Sequence, residues 1–142
     1  MPLFHYPQPG EIVFCDYSTG FVLPEMVKGR PVVVISPRLR RRSALVTVVP
    51  LSTTAPNPAE TYHREITLAY PLPAPFASPT MWAKCDMMAV VAHSRLDRFK
   101  LPRMPGQAQR KWTTGQVSAA DLVEIRKGVL CGLGLSSLTV HL

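Results

Sequence analysis

The chain is poor in acid. Nine aspartates and glutamates stand against 16 lysines and arginines, a formal charge of +7 over 142 residues. That imbalance favours polyanionic partners, namely nucleic acid, an anionic membrane surface or an acidic protein, although small basic enzymes carry it too. Cysteine is scarce. Cys15, Cys85 and Cys131 are odd in number, widely spaced and without a C-x-x-C pair, so they read as small buried hydrophobes in a reducing compartment. No run reaches 18 apolar residues, and the opening MPLFHYPQPG has neither the basic flank nor the apolar stretch of a signal peptide. The expected setting is cytoplasmic, away from membrane. His5, His63, His93 and His141 lack metal-ligand spacing, and Walker A, G-x-G-x-x-G and G-x-S-x-G patterns are missing. Neither a metal nor a cofactor is expected.

Apolar residues are present in ordinary proportion. A chain of this length can bury roughly two-thirds of its unfolded surface, enough for one domain over residues 1–142 without staples. EIVFCDY, residues 11–17, reads as a strand covered on both faces, with Ile12, Phe14 and Asp16 on one side and Val13 and Cys15 on the other. RPVVVIS and SALVTVVPLS follow as two β-branched strands, joined by an arginine-rich turn at 37–42. Pro50 suggests an edge or a bulge. REITLAY alternates as a fourth strand, and PLPAPFASP is a proline-rich connector. Strand material is expected through Asp86 and again from Met88 to Ala92, then a single helical turn at HSRLDRF and a loop at 99–117.

A helix is expected over about 118–133, capped by Ser118 with Asp121 three residues on. Leu122, Ile125, Val129 and Leu133 form its apolar stripe, while Glu124, Arg126 and Lys127 face solvent. Several short strands and a terminal helix make the class mainly β, a small barrel whose core spans about 9–98.

Chemistry is concentrated at strand ends. On period two, Trp82, Lys84 and Asp86 form one row on a strand that is otherwise apolar. In most proteins such a row is an ion pair on a solvated face. It also combines the stacking surface, phosphate clamp and proton carrier that RNA cleavage needs. Arg30 precedes Pro31 and a buried strand, so its backbone is pinned while its five-donor fork reaches outward to phosphate, or simply ends a loop. Glu25 is its natural ion-pair partner or a second carboxylate. Ser52, Thr53 and Thr54 are turn-forming hydroxyls or donors to phosphate and ribose. Arg38, Arg40, Arg41 and Arg42 form a solvated basic tip able to attract a phosphate backbone without reading a base. His63 and His93 are further candidate bases that nothing singles out.

The ordered set PGEIVFCDY, E-x-x-x-x-RPVVVIS, VTVVPLST, KCDM and SRLDR, followed by a last helix, resembles the PemK/MazF family of toxins from type II toxin–antitoxin modules, from about Pro9 to Leu135. The resemblance implies an SH3-like barrel with a C-terminal helix, a homodimer, and inhibition by a small acidic antitoxin. It also implies metal-independent endoribonuclease activity on single-stranded RNA. The family's arginine before proline falls on Arg30, its glutamate on Glu25, its hydroxyl pair on Ser52 and Thr53, and one branch's arginine–aspartate pair on Lys84 and Asp86. The implied roles are Asp86 as base or as orienter of the 2′-hydroxyl, Arg30 as phosphorane clamp and possible acid, Lys84 as charge neutraliser, Ser52 and Thr53 as phosphate positioners, and Glu25 as a competing base. Met26 and Met87 depart from the family pattern where polar residues are usual. They motivate an alternative, a weak or inactive nucleic-acid or antitoxin-binding regulator on the same fold. A toxin of related fold directed at DNA gyrase also fits a basic dimer, but the arginine–proline and hydroxyl pattern argues against it.

Overall fold

Runs of β-branched residues form the centre of the structure, a computed structural model that describes residues 3–142. Met1 and Pro2, at the head of the segment compared with a signal peptide, lie outside the described residues. Ten strands are found among them: β1 (Glu11–Cys15), β2 (Arg30–Val34), β3 (Leu45–Ser52), β4 (His63–Thr67), β5 (Thr80–Lys84), β6 (Ala89–Ala92), β7 (Leu96–Asp97), β8 (Phe99–Lys100), β9 (Trp112–Thr113) and β10 (Gly115–Gln116). The helix α1 covers Ala119–Gly132. The main sheet is antiparallel and eight-stranded, in the order β10-β1-β2-β3-β5-β4, with β6 also on β3 and β7 also on β1. The strand path ends at β10 and β4, which do not pair, so the mainly β class stands while the sheet wraps its core as an open barrel.

Burial on both faces explains the apolar runs. Ile12, Val33, Val49 and Leu51 enter one core, shared with Met81, Ala83 and Ile125. Their sequence neighbours Val13, Val32, Val34, Val46 and Val48 enter a second core on the opposite side. Each strand residue alternates between the two, so β1, β2 and β3 have almost no interior position for a polar group. Pro50 sits on an interior strand rather than at an edge. It faces Val32 on β2, while on the other side β6 pairing ends at Val48 and β5 pairing begins at Leu51. The missing N–H falls in the gap where β3 changes partners.

Several boundaries differ from those expected. The strand that carries Lys84 stops there, and Cys85–Met87 is a 3₁₀ turn, so Asp86 leaves the Trp82–Lys84 row. Residues 99–117 contain the β8–β9 hairpin, pairing Phe99 with Thr113 and Lys100 with Trp112, and also β10. The single turn at HSRLDRF is a 3₁₀ turn over His93–Arg95, followed at once by β7.

The helix begins as expected, with the Ser118 hydroxyl accepting from the Asp121 N–H at 3.1 Å. The Asp121 carboxylate does not close a capping box but accepts from the Thr67 N–H at 3.3 Å, tying the helix to β4. Glu124 and Lys127 are only half-exposed: Arg64 of β4 meets Glu124 at 2.9 Å and Lys127 meets it at 3.4 Å. Leu122 and Val129 pack against the first core, but Leu133, expected on the apolar stripe, is 57% exposed at the C-cap. Gly128 lets the helix approach closely, because a Cβ there would lie 2.6 Å from the Cys85 sulfur. The helix therefore rests on the turn that carries Asp86. Among the described residues no helix is long and apolar enough to cross a membrane.

Two outcomes follow from this packing. Ser118→Ala, which removes the cap, is expected to lower unfolding free energy by about 1 kcal/mol, read from denaturant titration. Burial pushes the Cys15 and Cys85 thiols up to about 12, which disfavours the nucleophilic thiolate, whereas Cys131 is only half-buried. Alkylation at pH 8 followed by peptide mapping is expected to label Cys131 first, with Cys15 and Cys85 reacting only after unfolding.

Candidate functional site

With the strand interiors apolar, polar side chains collect where strands end. Arg30 is the first residue of β2, opposite Cys15 on β1, and Pro31 behind it is buried. The β2–β3 register pairs Val32 with Pro50, and carried on by two residues it sets Arg30 opposite Ser52, the last residue of β3. The two ends open a cleft of about 260 Å³ lined by Lys28, Arg30, Ser52, Thr53, Phe76 and Met81 among others. Arg30 Nε is buried there with no hydrogen-bond partner among the described residues. A buried donor left unpaired costs about 1–3 kcal/mol, more when charged, so its retention points to a ligand acceptor. The Ser52 hydroxyl accepts from the Thr54 N–H at 3.1 Å and shapes its own turn. Thr53 is exposed and its hydroxyl makes no hydrogen bond among the described residues. Two cations and a free hydroxyl around one small cleft suit an anion of phosphate size.

A second cleft, of about 500 Å³, holds the carboxylates. Glu25 and Asp86 both line it, together with Tyr17, Met26 and Met87. Glu25 Oε2 accepts from the Val22 N–H at 2.7 Å, so this carboxylate also secures the loop that leads to β2. Asp86, exposed on its 3₁₀ turn, makes no hydrogen bond or ion pair among the described residues. Met26 is buried in the second core and Met87 packs against it. The two departures from the family pattern are therefore packing residues that give the carboxylate cleft an apolar floor.

Tyr17 feels the charge of Arg30 from the wall of the carboxylate cleft. It lines the carboxylate cleft and is buried, which pushes its phenol up. The Cys15 thiol raises it further, while the Arg30 guanidinium pulls it back. Arg30 thus acts electrostatically on a wall of the second cleft.

Of the six residues singled out in the sequence, the structure groups Arg30 with Ser52 and Thr53, and Glu25 with Asp86. Lys84 lines neither cleft. It ends β5 half-buried, opposite His63, and forms no ion pair among the described residues. His63 accepts from the Glu60 N–H at Nδ1, 3.0 Å away, which occupies that nitrogen. The arginines at 38–42 are exposed around a turn in which Arg41 has φ +64°, and they line neither cleft. Sequence reasoning missed Lys28, Tyr17 and Phe76. The spacing Lys28-Gly29-Arg30, two cations flanking the residue least able to obstruct them, was the available signal for the first. Tyr17 and Phe76 carried none, because what matters is the clefts they reach.

Solved structures share this architecture. An endoribonuclease from a mycobacterial species superposes with a TM-score of 0.61 at 20% identity, over 92% of this chain and 94% of that one. MazF from Deinococcus radiodurans gives 0.61 at 20% identity, over 92% and 98%. MazE–MazF from the same organism gives 0.54 at 19% identity, over 93% and 99%. No protein of curated function matches the sequence. The family model for the PemK-like, MazF-like toxin of type II toxin–antitoxin systems matches residues 8–130, nearly the whole chain, and this protein belongs to that family.

Proposed function

We propose that the protein is a toxin that cleaves single-stranded RNA, without a metal, by attack of a ribose 2′-hydroxyl on the adjacent phosphate. The observation that carries this is Arg30 Nε, buried and without a hydrogen-bond partner among the described residues, on a residue lining a cleft that also holds Lys28 and Thr53. The pentavalent phosphorane carries more negative charge than the ground-state diester, and a fixed planar fork meets that charge without reorganising. The planar five-donor fork of Arg30 suits a clamp better than an acid. Thr53 donates to a phosphate oxygen, while Ser52 holds the turn.

Asp86 is assigned as the base that takes the 2′-hydroxyl proton, because no partner among the described residues competes for it. Glu25, already engaged by the Val22 N–H, is the second carboxylate. The O2′–phosphorus bond forms as the phosphorus–O5′ bond breaks, O5′ takes its proton from solvent water, and Asp86 returns the 2′-hydroxyl proton to solvent. The products are a 2′,3′-cyclic phosphate, or the 3′-phosphate from its hydrolysis, and a 5′-hydroxyl. Lys84 contributes charge at the end of β5 rather than contact in either cleft. Family membership and the charge of +7 support a small acidic antitoxin as partner, a homodimer as the working form and the cytoplasm as its place.

End-labelled single-stranded RNA incubated with the protein in excess EDTA is expected to give discrete fragments with 5′-hydroxyl ends. Binding that leaves the RNA intact would replace this reading with a regulator. Arg30→Ala is expected to lower kcat by about 10²–10³-fold with the fold retained by circular dichroism, and Arg30→Lys by less. Unchanged cleavage in folded Arg30→Ala would remove Arg30 from the mechanism. Asp86→Asn is expected to cost about 10²–10⁴-fold, with Glu25→Gln costing less. The reverse order would make Glu25 the base.

A further inference from the structure

A third cleft, of about 310 Å³, opens beside the arginine cleft and is lined by Phe14, Phe76, Phe99, Trp112, Arg98 and Lys100 among others. Its floor is an aromatic cluster. Phe76 and Phe99 meet edge to face at 6.0 Å, and Phe14 contacts both rings at 6.2 and 6.5 Å. Trp112, across the β8–β9 hairpin from Lys100, has the Lys100 ammonium 5.5 Å and the Arg98 guanidinium 5.9 Å from its ring centroid. Phe99 is buried, but Phe76 and Trp112 keep part of their surface open to the cleft.

This cleft is continuous with the arginine cleft in two ways. Phe76 lines both. Gly29, in the wall of the arginine cleft, lies directly against the Phe14 ring, and a Cβ at Gly29 would sit 2.3 Å from Phe14 Cζ. An anion held by Arg30 is therefore one aromatic ring away from an apolar cleft walled by inclined rings and lined also by Asp97, Arg98 and Lys100. Phosphate next to an aromatic platform is the arrangement of a nucleotide, whose base stacks on side-chain rings and guanidinium planes while its backbone follows positive charge.

We propose that the Phe76–Trp112 cleft receives a nucleobase of the RNA strand whose phosphate lies at Arg30, which makes the β8–β9 hairpin a substrate-reading element. The proposal rests on the RNA reading given above. Stacking supplies affinity for any base, and Lys100 at the rim favours bases that present acceptors.

The test uses Trp82→Phe protein, in which Trp112 is the one remaining tryptophan. It is titrated with a short random-sequence pool of 2′-O-methyl RNA, which lacks the attacking hydroxyl, and with the matching abasic backbone. The base-bearing pool is expected to quench Trp112 fluorescence, and the abasic backbone to bind through Arg30 without quenching. Trp112→Leu, with its thermal midpoint checked, is expected to weaken binding of the base-bearing pool by roughly 5- to 150-fold and to leave abasic binding unchanged. Binding of the base-bearing pool without quenching overturns the proposal, even where the protein cuts ordinary RNA normally. Quenching in a protein that does not cut RNA supports the cleft and overturns only the cleavage. No binding of either pool overturns both.

Discussion

The constraint on which the rest depends is that β1, β2 and β3 are buried on both faces. The alternating residues of each strand serve two different cores, so a charge along Val32–Val34 or at Val46, Val48 or Val49 would lose its hydration on one side or the other. Such strands tolerate chemistry only at their ends. Arg30 is the first residue of β2, Ser52 the last of β3, Lys84 the last of β5, and Asp86 lies two residues beyond it. The pattern that fills the core is thus the pattern that locates the site. The antiparallel pairing of β2 with β3 then brings one strand's beginning beside the other's end, and Arg30 comes to face Ser52 across 21 intervening positions of chain.

The surrounding elements hold those ends in place. The 3₁₀ turn that re-aims Asp86 is backed by α1, which approaches closely because Gly128 has no Cβ to strike Cys85. The Arg64–Glu124 and Thr67–Asp121 contacts fasten the same helix to β4. On the other side, Phe14 leaves β1 to pack its ring against Gly29, so the residue before Arg30 is fixed by an aromatic neighbour. A rigid first shell is what electrostatic stabilisation of a transient charge demands, since donors that must reorganise lose much of their effect.

The strands were legible because burial on two faces leaves a β-branched signature that few other environments would select, and the helix because Ser118 and the apolar period mark its start and inner face. The residues of the arginine cleft were legible too, since a cation before Pro31 and hydroxyls after Pro50 interrupt otherwise apolar runs. The Trp82–Lys84–Asp86 row was misread. Period two holds only while the strand lasts, and pairing stops at Ala83 on β3 and at Lys84 on β4, where local sequence has no Gly or Pro to announce it. The short β8 and β9 were missed for a related reason: two-residue strands take their identity from each other, and no periodicity extends over so few positions.

By itself the sequence determined the mainly β class, the double-sided core, the capped helix, the basic charge and the arginine and hydroxyls at strand ends, because each depends on neighbours a few residues apart. Only the tertiary structure decided that Glu25 joins Asp86 and not Arg30, that Lys84 stands outside both clefts, that Tyr17 lines the carboxylate cleft and that Phe76 is shared by two neighbouring clefts. Those are relations between residues tens of positions apart. They are set by strand register, by where each pairing ends, and by how closely a glycine lets two surfaces meet, and no local pattern of residues encodes where a distant strand will stop.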